Sequence, residues 1–133
     1  MSIAIVSGYF NQLHKGHLEL IRKAKKYGKV LVIVNNNTQT LLKSNKIFMD
    51  DIERAEIMYN LTDVFMVEIS IDTDRTVNRT LRFIRACCPN EELFFVNGLE
   101  YKTSKEDITC KKLGIKLKYE GKKIQSSSWL LKK

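Results

Sequence analysis

The chain of 133 residues has one proline, one tryptophan, six glycines and two histidines. So little proline and glycine excludes a collagen-like or low-complexity polymer, and a hydrophobic fraction of 44% is that of a folded globule. No apolar run approaches the roughly 20 residues needed to cross a bilayer. Met1-Ser2 leads straight into an apolar run, so no signal or transit peptide is expected. Cys87 and Cys88 are adjacent and Cys110 is distant. That odd total, with no C-x-x-C, argues against a disulfide framework and a zinc site. A cytoplasmic protein with reduced thiols is expected. Neither G-x-G-x-x-G nor G-x-x-x-x-G-K-[ST] occurs, which argues against dinucleotide-dependent redox chemistry and P-loop hydrolysis.

Acidic residues are also few, 15 against 23 Lys and Arg, for a formal charge of +8. That balance suits a polyanionic ligand, a nucleic acid or an anionic membrane surface. The basic residues are scattered, however, and the cluster Arg22-Lys23-Ala24-Lys25-Lys26 lies on a segment whose other positions are apolar. A solvated helix face explains it. With no RNA or DNA motif in the chain, neither a nucleic acid nor a membrane is expected as partner.

What the sequence does contain is an alternation of strand and helix signals. The apolar run Ile3–Val6 reads as a strand buried on both faces, Val30–Val34 as a second buried strand, and Asp63–Val67 and Leu93–Val96 as a third and a fourth strand. Ile115–Tyr119 alternates strictly and reads as a strand near a sheet edge. Between them, Leu18, Ile21 and Ala24 recur at helical spacing, with Gly28 as the helix stop. Asp50 and Glu53 offer a capping box for Ile52, Ala55 and Met58. Thr73 or Asp74 caps a helix carrying Val77, Leu81 and Ile84, ended by Pro89. Residues 104–113 and 126–133 complete the helices, and residues 35–50 form a long polar connection. The order predicts one α/β domain over 1–133: a Rossmann-like three-layer α/β/α sandwich with a five-stranded parallel sheet and ligands at the carboxyl ends of its strands.

Both histidines fall where the first strand turns into the first helix, in Gly8-Tyr9-Phe10-Asn11-Gln12-Leu13-His14-Lys15-Gly16-His17. A helix start gathers free backbone N–H groups and the positive end of the macrodipole, a cradle for phosphate. Imidazoles placed there can donate to a phosphate whose charge changes during reaction. Near the other end, Ser126-Ser127-Ser128 puts three hydroxyls at a helix start, where hydroxyls both cap the helix and bind phosphate.

The first stretch resembles the G-x-F-D-x-x-H-x-G-H signature of the cytidylyltransferase-like nucleotidyltransferase superfamily, with Asn11 in place of aspartate. The serine run resembles that superfamily's I-S-S-T-x-I triphosphate element, with Gln125 at a usually apolar position and Leu131 where some adenylyltransferases carry arginine. Size and a lysine-bearing loop look most like the glycerol-3-phosphate cytidylyltransferases and the sugar-phosphate adenylyltransferases. The resemblance implies transfer of CMP, or AMP, from a nucleoside triphosphate (CTP or ATP) to a small phosphorylated acceptor such as glycerol 3-phosphate or a sugar phosphate, releasing pyrophosphate. Transfer to a heptose phosphate or a flavin or coenzyme precursor is the alternative, and a non-catalytic nucleotide sensor is a reading of another class.

By the same resemblance His14, His17, Lys43 and Lys46 would be catalytic. Gly8, Tyr9, Phe10, Asn11, Gly16, Gly98, Glu100, Tyr101, Ser126, Ser127 and Ser128 would bind the nucleotide, and Arg54 the substrate. Glu100 replaces the superfamily's aspartate in its segment. Mg2+ would arrive with the triphosphate, with no protein metal site of its own, and the protein would be a homodimer.

Overall fold

The structure is a computed structural model, and it describes residues 1–11, 13–98 and 104–120. The expected helix at 126–133 lies outside those residues. The elements are β1 (Ser2–Gly8), α1 (Lys15–Ala24), β2 (Lys29–Val34), α2 (Asn37–Ser44), α3 (Asp51–Tyr59), β3 (Val64–Ile69), α4 (Asn78–Cys87), β4 (Glu92–Gly98), α5 (Asp107–Leu113) and β5 (Lys116–Glu120). All strand pairs are parallel and the order is β3-β2-β1-β4-β5, a five-stranded Rossmann-like sheet as expected. The chain reverses its winding between β1 and β4, which opens a crevice at their carboxyl ends.

Strand alternation divides the core. Ala4, Val6, Val30, Val32, Phe94 and Val96 face α1 and α3 and meet Ile21, Ala24 and Met58. Ile3, Ile5, Leu31, Ile33, Leu93 and Phe95 face α4 and α5 and meet Leu81, Ile84 and Cys110. Because both faces are covered, the central strands read as unbroken apolar runs. The β5 edge carries Lys116 and Lys118, and its Glu120 carboxylate accepts hydrogen bonds from Tyr27 and Lys26 of the α1 end. Charge on an exposed strand edge discourages pairing with another chain.

Three helix boundaries differ from the sequence expectation, each for a local reason. Gly28 does not cap α1, whose C-cap is Lys25 in the right-handed region. Gly28 is small because a Cβ there would run into the carbonyl of Ser2 as the chain turns into β2. Asp50 makes no side-chain cap to α3. Instead Asp51 and Asn37 exchange backbone-to-side-chain hydrogen bonds of 2.9 Å each, locking α2 against α3. Finally, α4 starts at Asn78 and is capped neither by Thr73 nor by Asp74. The buried Asp72 carboxylate accepts from the N–H groups of Arg79 (2.8 Å) and Thr80 (3.0 Å) across the intervening loop. The polar connection at 35–50 also holds a helix of its own, α2, begun by a capping box between Asn36 and Gln39.

Candidate active site

The turn from β1 into α1 is built by its two histidines. His14 is the N-cap of α1, and its Nδ1 accepts from the Gly16 N–H at 3.1 Å. His17 is the third residue of the helix, and its Nδ1 accepts from the His14 N–H at 3.2 Å. The pair thus forms a capping box from imidazoles, where serine and glutamate more often serve. Since each Nδ1 is an acceptor, each neutral ring carries its proton on Nε2. The rings stack with centroids 3.8 Å apart and planes at 26°, and the cap engages only their Nδ1 atoms.

Small residues and one strained residue hold the rings there. Phe10 sits at φ +56°, a left-handed conformation that costs a bulky residue about 1–3 kcal/mol. Burial of its ring in the core offsets that cost, and its edge contact with His17 (centroids 5.1 Å) fixes the second imidazole. A Cβ on Gly8 would come within 2.7 Å of the Phe10 ring, and one on Gly16 within 2.9 Å of His14 Cε1. Gly16→Ala is therefore expected to push His14 off its cap and lower turnover at least about tenfold, in line with the loss expected when a catalytic group is misplaced by a fraction of an ångström. Steady-state kinetics check this, and unchanged turnover would contradict the packing account.

His17 titrates unusually low, at about pH 4, because it is partly buried and faces the charges of His14 and Lys43. The folded protein therefore favours the neutral ring more than the unfolded chain does, whose histidine keeps the ordinary value of 6.5. The stability this contributes is full above about pH 6.5 and is lost as pH falls towards 4. An NMR titration should give a His17 midpoint near 4, with α1 fraying in the same range as Nδ1 gains a proton and stops accepting. A midpoint near 6.5 would contradict the geometry.

The remaining candidates are not all brought to this turn. Lys43, at the end of α2, reaches the site: its Nζ lies 4.3 Å from the Tyr9 ring centroid, and its charge is felt by His17. Lys46 turns onto Phe48 instead, 4.7 Å from that ring. Asn11 lies in the turn with its Oδ1 buried and unpartnered, and Gly98 ends β4 beside the crevice. Glu100, Tyr101, Ser126, Ser127 and Ser128 lie outside the described residues.

Arg54 is placed differently from its expected role as a substrate ligand. It is buried, and its Nε donates to Met49 O, Nη1 to Tyr9 O (2.6 Å) and Asn35 O (2.7 Å), and Nη2 to Asn37 Oδ1 and Thr40 Oγ1. Those bonds use all five guanidinium donors. Burial lowers its pKa, and Asp51 and Asp50 partly counter the shift. Arg54 therefore ties together the chain leaving β1, the chain leaving β2, and α2, the helix that carries Lys43. Sequence reading missed the partner of this clamp. Asn36 donates to Ser70 O and Asp72 O, and Gln39 to Asp74 O and Thr76 O, fastening α2 to the loop after β3. The Asn36-x-x-Gln39 spacing was the available signal.

A doubly wound parallel sheet with an H-x-G-H turn at its first crossover defines a class of nucleotide-handling domain. The chain belongs to the cytidylyltransferase-like family, whose model matches residues 5–128. It is 35% identical over 102 residues to a phosphopantetheine adenylyltransferase of Mycoplasma capricolum, covering 74% of this chain and 64% of that protein. It is 36% identical to the bifunctional protein HldE of Geobacter metallireducens, over 60% of this chain and 17% of that one. An FAD synthase of Aciduliprofundum boonei is 32% identical over 86% of this chain and 73% of its own length. The chain thus spans just under two thirds of the first of these relatives and a small part of the second. Among solved structures, a lipopolysaccharide core biosynthesis protein from Thermoplasma volcanium shares the fold, with a TM-score of 0.68 at 21% identity over 90% of this chain and 96% of that one.

Proposed function

We propose that the protein is an enzyme that transfers a nucleotidyl group from a nucleoside triphosphate to a small phosphorylated acceptor, releasing pyrophosphate. The observation that carries this reading is the stacked His14–His17 pair, with both Nδ1 atoms committed to the helix cap and both Nε2–H donors free for phosphate. An acceptor phosphate oxygen attacks the α-phosphorus, the bond to the bridging oxygen breaks, and pyrophosphate leaves with the electron pair. No protein nucleophile is needed. The site acts by aligning two substrates, worth roughly 7–11 kcal/mol, and by stabilising charge that grows on the bridging and terminal oxygens. His14 and His17 face that charge, and Lys43 follows it from α2.

The sequence favoured CTP as donor. The names of two relatives, an adenylyltransferase and an FAD synthase, favour ATP, and we place AMP transfer first and CMP transfer second. Mg2+ would enter on the triphosphate and help neutralise it. The described residues hold no group of three or more His, Cys, Asp or Glu suited to a metal ion, while the unpartnered Asn11 Oδ1 is a hard oxygen that fits one ligand position. Substrates of this kind are cytoplasmic, and no helix among the described residues is long and apolar enough to cross a membrane.

A homodimer is the assembly we favour. Among the described residues β3 is an edge strand that exposes Phe65 and Met66, and Tyr59 at the end of α3 is exposed too, whereas the other edge is charged. Their antiparallel pairing across a two-fold axis would cover apolar surface on both copies at once. Sedimentation should give twice the 15.5 kDa chain mass, falling to the monomer in Met66→Lys. A wild-type monomer at micromolar concentration would exclude this assembly.

The functional test is a pyrophosphate-release screen of four nucleoside triphosphates against polyol, sugar, pantetheine and flavin phosphates. Release that depends on both substrates is expected for at least one pair. Saturable nucleotide binding with no release from any pair would instead mark a nucleotide sensor.

A further inference from the structure

We infer that Tyr9 is a positioning residue whose ring holds the Lys43 ammonium at the histidine turn before any nucleotide is bound, an inference that rests on the nucleotidyl-transfer reading above. The Lys43 Nζ lies 4.3 Å from the Tyr9 ring centroid, inside the roughly 6 Å over which a cation is drawn to an aromatic face. Lys43 is exposed, and it enters none of the ion pairs among the described residues. A carboxylate partner would neutralise the ammonium and compete with a triphosphate for it. A ring holds it only about two- to fivefold over release and leaves its charge unspent.

Both ends of this contact are fixed by one side chain. Arg54 Nη1 donates to the Tyr9 carbonyl at 2.6 Å, and Nη2 donates to Asn37 Oδ1 and Thr40 Oγ1, each at 3.2 Å. Lys43 stands three residues after Thr40, the spacing of neighbours on one helix face. The guanidinium thus sets both the backbone that carries the ring and the helix turn that leads to the lysine. The next residue, Phe10, takes its left-handed φ of +56° and buries its own ring, while Tyr9 stays half-buried. The lysine charge does arrive at the site, since it acts with burial and His14 to keep His17 neutral.

A cation already in place needs no rearrangement when negative charge grows on the departing phosphates, and such preorganisation is a large part of what electrostatics contribute to catalysis. The lysine stem alone does not provide it, because four flexible carbons spread the ammonium over many positions. The ring supplies the missing constraint. Its hydroxyl has no part in this role, since the attraction comes from the aromatic face. Phenylalanine should therefore serve in its place and an aliphatic residue should not. A Tyr9 that touched the nucleotide directly would instead matter equally with and without the lysine.

The test is a double-mutant cycle on the full chain, read by kinetics and by NMR. In the free protein the Tyr9 ring current should move the Lys43 Hε protons upfield, a shift kept in Tyr9→Phe and lost in Tyr9→Leu. Tyr9→Leu should lower kcat/KM for the nucleotide about fivefold, and Tyr9→Phe should restore most of that loss. In a Lys43→Ala background the same Tyr9→Leu change should cost less than about twofold, because the ring has nothing left to hold. Lys43 protons without the upfield shift, or a Tyr9→Leu loss of the same size in both backgrounds, would overturn the inference; the second result would mark a direct nucleotide contact. Absence of pyrophosphate release with every substrate pair would overturn the nucleotidyl-transfer reading itself. The lysine shifts, with the same cycle run on nucleotide affinity, would then still decide the role of Tyr9.

Discussion

Replacing His17 by alanine is expected to lower turnover by about 10²–10³ while leaving the chain folded. The loss follows from one missing donor, which in preorganised sites is worth about 3–4 kcal/mol, at about 1.36 kcal/mol per tenfold. The nucleotide KM should move little, because the Nε2–H bond strengthens only as charge reaches the bridging oxygen. Stability should fall by about 1 kcal/mol, since His17 Nδ1 also caps the His14 N–H. His17→Glu separates the two roles. A glutamate at this helix position restores the capping box and should return the lost stability. It also faces the triphosphate with a negative charge and lacks the donor, so it should be at least as inactive as alanine. A glutamate variant more active than the alanine variant would sink the assignment.

The second large effect falls on stability. Arg54→Leu should cost about 3–5 kcal/mol, the usual result of removing one member of a buried charged network. The carbonyls of Tyr9 and Asn35 would lose their shared donor at Nη1, and Asn37 and Thr40 theirs at Nη2. For a domain of this size that is a fall in melting temperature of about 10–20 °C, read by calorimetry or circular dichroism. Activity should fall with it even below the transition, because the same guanidinium sets where Tyr9 and the α2 end carrying Lys43 lie. Arg54→Lys should recover only part of the loss, as an ammonium has three donors for acceptors arranged around a planar fork. A change of under about 3 °C in the leucine variant would show that the clamp is idle.

The sheet was legible because burial on both faces writes a strand as a plain apolar run, as in Val30–Val34. The histidine turn was legible because both histidines of the chain meet at one strand-to-helix junction. Helix starts were harder, since their caps here are non-local or atypical. Asp72 reaches α4 across a loop, and α1 is capped by a histidine that sequence reasoning had reserved for chemistry. Helix α2 was missed because Asn37–Ser44 is polar over most of its length and gains its hold through Gln39 and Thr40, buried residues that hydropathy does not mark. Arg54 shows the same limit. Nothing local distinguishes an arginine that binds substrate from one that gathers carbonyls from three segments. Lys43 and Lys46 look alike in sequence, yet the helical run of α2 carries one to Tyr9 and leaves the other on Phe48.

The central claim is that capping fixes both imidazoles as Nε2–H donors to a nucleoside triphosphate. Side-chain 15N NMR of the two histidines at neutral pH, with and without a non-hydrolysable triphosphate, tests it without knowledge of the acceptor. The account predicts the Nε2–H tautomer for both rings in the free protein and a shift of both Nε2–H signals when the nucleotide binds. A proton on Nδ1 of either ring, or bound nucleotide that leaves both signals unmoved, would contradict it.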